Sequence, residues 1–285
     1  MTLAMVVVAA AADLPQAAPA AMYSKALVPS PEWNWTGFYV GVQGGAGQGT
    51  TQDSETALQN CIAGPCAGVA VISPPGFLQN SYTMNGLHGG GTAGFNWQTG
   101  RLAFGVEGDI SGANIAGTSS GLTAGVSGSG CANSFTSLPG TNVLCHTKMP
   151  WFATAAGRLG VTFHDTLLYV KGGAAWGHFD QDVTAANVNV IPVNVLSAAS
   201  VASNRLGYTV GAGIEYALWN NWSAKFEYDY MDFGTHNVTF AFTGPALLGG
   251  PGQFKFFNDE RASVHIVRAG LNYRFDWGGP VVAKY

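Results

Sequence analysis

The chain has 285 residues, of which 47% are hydrophobic and only 10% are Asp, Glu, Lys or Arg, with a formal net charge of -4. An ordinary soluble domain is roughly 25% charged, so an ordinary soluble surface is excluded, and no basic run exists that would bind nucleic acid. The longest apolar run, 3–12, falls short of the ~17 residues a spanning helix needs. What remains is a chain that buries greasy strands without greasy runs, the pattern of a β-barrel whose alternate residues face lipid and lumen.

Residues 1–12, MTLAMVVVAAAA, have the apolar core of a secretory signal peptide, with Ala9 and Ala11 placed for cleavage before Ala12. A positive n-region is missing, so either the true start lies upstream or the segment is an ordinary apolar N-terminus; the signal segment 1–11 is the expectation. Prolines at 15, 19, 29 and 31 keep the arm 12–32 irregular.

Period-two alternation then predicts eight strands. The first, 35–45, sets Phe38, Val40 and Val42 against Tyr39 and Gln43. The second, 87–97, sends Leu87, Ala93, Phe95 and Trp97 out and His88, Thr92 and Asn96 in. The third, 101–111, has Leu102, Phe104, Val106 and Ile110 out. Strands over 149–163 and 166–179 carry Trp151, Leu159, Val161, Leu168, Val170 and Trp176 outward. A hairpin over 204–234 turns at 219–221, with Leu206, Tyr208, Val210, Ile214, Tyr216, Trp222, Phe226 and Tyr228 on its greasy face. The last strand, 263–275, has Val267, Leu271, Tyr273 and Phe275 out. Connections alternate between short turns at 99–100, 164–165 and 219–221 and long loops over 46–85, 112–147, 180–203 and 235–260. Residues 276–285 form a C-terminal extension of the barrel 33–275.

The scarce charges share one face. Arg101, Arg158, Lys171, Arg205, Lys225, Arg268 and Arg274, with Glu107, Asp109, Glu215, Glu227 and Asp229, all lie opposite the large apolar residues. A soluble carrier barrel would show the reverse, with charges toward water. Eight strands enclose an interior just wide enough for side chains to fill, and unpaired charge there is costly. Glu107, Asp109, Glu227 and Asp229 are therefore expected to pair with Arg158, Lys171, Arg205, Lys225 and Arg268. Such a network is either a plug or the filter of a narrow ion path.

Trp97, Trp151, Trp176, Trp222, Tyr216, Tyr228 and Tyr273 sit near strand ends, as interfacial girdles require. The four cysteines fall two per loop; Cys61–Cys66 and Cys131–Cys145 are the preferred disulfides of three pairings, loop-to-loop bridges being the alternative. Residues 89–94, GGGTAG, match the letters of a dinucleotide fingerprint, but inside an alternating strand with no helix following the match is empty. The six histidines have no metal-binding spacing. No cofactor, metal or catalytic site is expected.

The segments NWTGFYVGVQGGAGQG, FGVEGDISGA, YTVGAGIEYALWNNWSAKFEYDYMDFG and VRAGLNYRF together resemble the OmpA-like surface-antigen (porin-family) β-barrels of Gram-negative outer membranes, over 33–275. That resemblance implies an all-β, eight-stranded antiparallel up-and-down transmembrane barrel with four long surface loops and both termini in the periplasm. It also implies the bacterial outer membrane as location, its lipid and lipopolysaccharide as surroundings, and the barrel-assembly machinery as partner during insertion. The expected role is structural, with the loops as a contact surface for a host or environmental ligand; the alternative is a narrow porin. Phe275 or Tyr285 is the terminal aromatic for assembly.

Overall fold

The computed structural model describes residues 33–61, 70–71, 79–122, 141–187, 194–245 and 251–275. They fall within one compact unit, Trp33–Tyr285. The expected signal segment, the proline-rich arm and the C-terminal extension lie outside the described residues.

The strands are β1 (Gly37–Cys61), β2 (Ala70–Val71), β3 (Gln79–Thr99), β4 (Leu102–Leu122), β5 (Thr141–Phe163), β6 (Thr166–Asn187), β7 (Asn194–Ala217), β8 (Trp222–Pro245) and β9 (Pro251–Arg274). All pair antiparallel with their sequence neighbours, β2 being a two-residue addition on β1, and β1 also pairs with β9. Closure pairs the strands all round the ring over the part nearer the turns, which is what a strand protein needs where no water is available.

Three tight connections lie at one end of the barrel, where Gly100, His164 and Asn220 take positive φ. The predicted turns at 164–165 and 219–221 are found; the first hairpin turns at Gly100 and Arg101, one residue later than expected. At the other end the strands run much further than the alternation suggested. β1 alone is 25 residues long, against the 9–11 that cross a bilayer, and its ladder with β9 continues to Cys61↔Gln253. Much of what reads as loop over 46–61 and 251–260 is therefore paired strand. Polar, glycine-rich composition marks these stretches as loop by propensity, but ladder pairing with a neighbour already in register overrides it.

Ladder length is uneven around the ring. β7 and β8 pair only from Ala217↔Ser223 to Tyr208↔Asp232, although β7 begins at Asn194 and β8 ends at Pro245. A bulge between Asp232 and Thr235, with Gly234 at φ 67, bends β8 where the pairing stops.

Alternation holds across the wall. Phe38, Val42, Leu102, Phe104, Val106, Ile110, Leu159, Val170, Leu206 and Phe226 are exposed on the outside, while the residues between them are buried inside. Two interior tyrosines cover cross-strand glycines: Tyr39 is opposite Gly94 and Tyr169 opposite Gly213. Side-chain bulk on one strand fills what the neighbouring strand lacks.

Candidate functional site

The interior is layered, and β9 shows the order: Asn272 and Arg268, then Ile266, Val264 and Ala262, then Glu260 and Asn258. Nearest the turns, Trp35, Ala103, Leu167, Tyr169 and Ala217 form an apolar floor. Above it lies the charge cluster.

Glu107 on β4 is its hub. It accepts hydrogen bonds from the Tyr39 hydroxyl at 2.8 Å, Lys171 Nζ at 3.1 Å, Lys225 Nζ at 3.2 Å and Arg158 Nη1 at 3.3 Å. Glu227 lies 2.9 Å from Lys171 and 2.7 Å from Lys225. Arg158 also donates to Glu215 at 2.9 Å and stacks its guanidinium 3.8 Å from the Tyr169 ring centroid. Glu215 accepts further bonds from Ser223 at 2.5 Å and Asn272 at 2.7 Å. Arg268 ties Asp109 to Asp229, and Thr154 donates to Asp109.

These groups come from β1, β4, β5, β6, β7, β8 and β9, and ties such as Arg268–Asp109 and Lys225–Glu107 join strands that are not neighbours. Most of their side chains reach no solvent at all. Alternation makes this assembly inevitable once the sheet closes, because a residue opposite a lipid-facing side chain has nowhere to point but inward.

Above the charges comes a second apolar layer of Met84, Ile115, Met149, Phe152, Phe179, Met231, Phe233, Val264 and Ile266. Sequence reading missed it, since large apolar residues were assigned outward. Phe233 and Phe179 meet edge-to-face at 5.1 Å. Ile266 carried a usable signal: it shares the parity of Arg268.

Three predicted members of the network are placed differently. Arg205 is buried but pairs with Glu260 at 2.8 Å, its guanidinium 4.7 Å from the Phe179 ring centroid, because it sits a layer above the other cations. Arg101 is exposed in the β3–β4 turn, where the strand has already ended. Arg274 is half-buried at the turn-end rim, donating to the carbonyls of Asn34 and Thr36 and lying over Trp33. The remaining nine, Glu107, Asp109, Arg158, Lys171, Glu215, Lys225, Glu227, Asp229 and Arg268, form the buried network. Glu260 and Asp53, which fall in the predicted loops, are buried inside. Continuing the parity of Arg268 and of Tyr39 along their strands would have found both.

The predicted girdle residues all lie on the outer wall, in two belts. Toward the turns, Trp97 stacks on Phe104, Trp222 meets Tyr273 at 5.3 Å, and Tyr216 is exposed beside them. Toward the far end, Trp151 stacks on His178, Tyr228 shares a 2.6 Å hydrogen bond with His265, and Trp176 lies one row below. Cys145 is disulfide-bonded. Cys66 and Cys131 lie outside the described residues, as do both predicted pairings.

Residues 2–275 match the family described as outer membrane protein beta-barrel domain. The chain belongs to this outer-membrane β-barrel family. It is 30% identical over 251 residues to the 31 kDa outer-membrane immunogenic protein of Brucella melitensis, covering 87% of this chain and 86% of the relative. A 22 kDa outer membrane protein of Rhizobium leguminosarum is 29% identical over 140 residues, 49% of each chain. Among solved structures, OprG of Pseudomonas aeruginosa covers 85% of this chain and 98% of its own, with 11% identity and a TM-score of 0.43. The protein is thus an outer-membrane barrel related to surface antigens. In such barrels the short turns are periplasmic and the longer ends extracellular, which puts the floor of the lumen at the periplasm and the extended strands outside the cell.

Proposed function

We propose that this outer-membrane barrel is a structural and surface-contact protein whose lumen is plugged. The observation that carries the reading is the pair of stacked layers across the bore. The nine-residue ion-pair network and the Met, Ile and Phe layer above it are both buried. A passing ion would have to displace desolvated charges held by several partners each, and then an apolar layer that offers it no ligand. Contact with the outside falls instead to the strands beyond the membrane. There β7 from 194 to 204 and β8 from 233 to 245 carry no Asp, Glu, Lys or Arg and are not paired with each other. Uncharged edges of this kind are suited to an extended segment of another protein, which would add as a strand. This reading gives no part to catalysis.

The test is single-channel conductance of the refolded protein in a planar bilayer, alongside Arg268→Ala, with folding of both checked by heat-modifiable gel mobility. A silent folded wild type is expected. Discrete wild-type openings, altered by the substitution, would put the porin reading first.

A further inference from the structure

Above the apolar layer, Asp53 of β1 and Glu260 of β9 are direct cross-strand neighbours on the inner face. Both are buried, at 9% and 1% exposure. Like charges facing each other across a ladder are destabilising, and the cation beside them is Arg205, bound to Glu260 Oε2 at 2.8 Å. Gln181 Nε2 donates to that same oxygen. The guanidinium pairs with Glu260 alone, and among the described residues no ion pair reaches Asp53.

Two further observations point into the same place. Glu260 Oε1 and Gln181 Oε1 are buried and accept no hydrogen bond, and an orphaned buried oxygen is unusual enough to require a partner. Beside them is a cavity of about 10 Å³, bounded by Asp53, Tyr82, Thr147, Gln181 and Glu260 among others, room for a single water-sized sphere. Every polar atom these five side chains offer as a ligand is oxygen. Among the described residues no three His, Cys, Asp or Glu side chains converge on a metal position, so an ion here would be held by two carboxylates completed by amide and hydroxyl oxygens. Hard cations take carboxylate, amide and hydroxyl oxygens, and Ca²⁺ tolerates an irregular set where Mg²⁺ demands a near-ideal octahedron.

From this geometry we infer a Ca²⁺ site at the extracellular end of the lumen, with Asp53, Glu260 Oε1 and Gln181 Oε1 as ligands. Bound there, the ion lies between the two carboxylates and joins β1, β9 and β6 above the plug, stiffening the strands that leave the membrane.

The test uses the full chain refolded in lipopolysaccharide-free detergent micelles, with Tb³⁺ as the probe and Tyr82 as its sensitiser. Saturable tyrosine-sensitised luminescence at one ion per chain is expected, displaced by Ca²⁺ and not by equimolar Mg²⁺, and lost in Asp53→Asn. That variant keeps the Arg205–Glu260 pair, and its folding is checked by gel mobility. Ca²⁺ should also raise the unfolding midpoint of the wild type and leave that of Asp53→Asn unchanged. Equal Tb³⁺ signals in wild type and a folded Asp53→Asn would overturn the site. So would a wild type whose unfolding midpoint is indifferent to Ca²⁺.

Discussion

Arg268 Nη1 donates to Asp109 Oδ1 at 2.9 Å across 159 positions of sequence, joining the last strand to the third long one through the centre of the bore. The same guanidinium donates through Nε to Asp229 at 2.9 Å. Removing it leaves Asp109 and Asp229 with only the longer ion pairs to Lys171, at 3.8 and 3.5 Å. Arg268→Ala should cost about 3 to 5 kcal/mol of barrel stability, read as a lower denaturant midpoint in the gel-mobility assay.

Phe226 is exposed to lipid, between Trp222 in the periplasmic belt and Tyr228 in the extracellular one. Phe226→Arg should impair insertion by roughly 2 to 4 kcal/mol. Folding yield in vesicles checks this, and a yield equal to wild type would contradict the lipid-facing assignment.

Gly94 and Gly89 lie on the same strand and face opposite sides. A Cβ on Gly94 would run into the Tyr39 hydroxyl, displacing the ring that hydrogen-bonds Glu107 and Arg158. On Gly89 the nearest atom is the Gln43 carbonyl at 3.7 Å. Gly94→Ala should therefore lose about 1 to 3 kcal/mol, whereas Gly89→Ala should refold with an unchanged midpoint.

Asp53 supplies a pH dependence whose sign follows from its raised folded pKa of about 8. An unfolded Asp releases its proton near 3.9. The folded chain holds it longer, so this group's contribution is full below about pH 4 and declines as pH rises to about 8, by at most about 1.4 kcal/mol per unit. In calcium-free buffer, urea midpoints of the wild type should fall across that window. Asp53→Asn should remove the part of the slope that Asp53 supplies; an unchanged slope would show that Asp53 is ionised throughout.

Period-two alternation determined much of this protein without any structure: the strand class, which side chains meet lipid, the aromatic girdles and an inward set of twelve charges, nine of which form the network. These are legible because a pleated strand sends each residue to the face opposite its neighbour, so facing is a local property. Only the tertiary structure decided which charges meet. Arg205 joins Glu260 rather than Glu107, and Arg274 caps a rim, because height along the bore depends on the stagger of all eight long strands around the closed ring, and no single strand carries that information. The same holds for the Phe179–Phe233 contact and for the parting of β7 from β8. Strand length was likewise undecided by sequence, since the stretch from Ala46 to Cys61 has loop composition and becomes ladder only where β3 and β9 stand beside it in register.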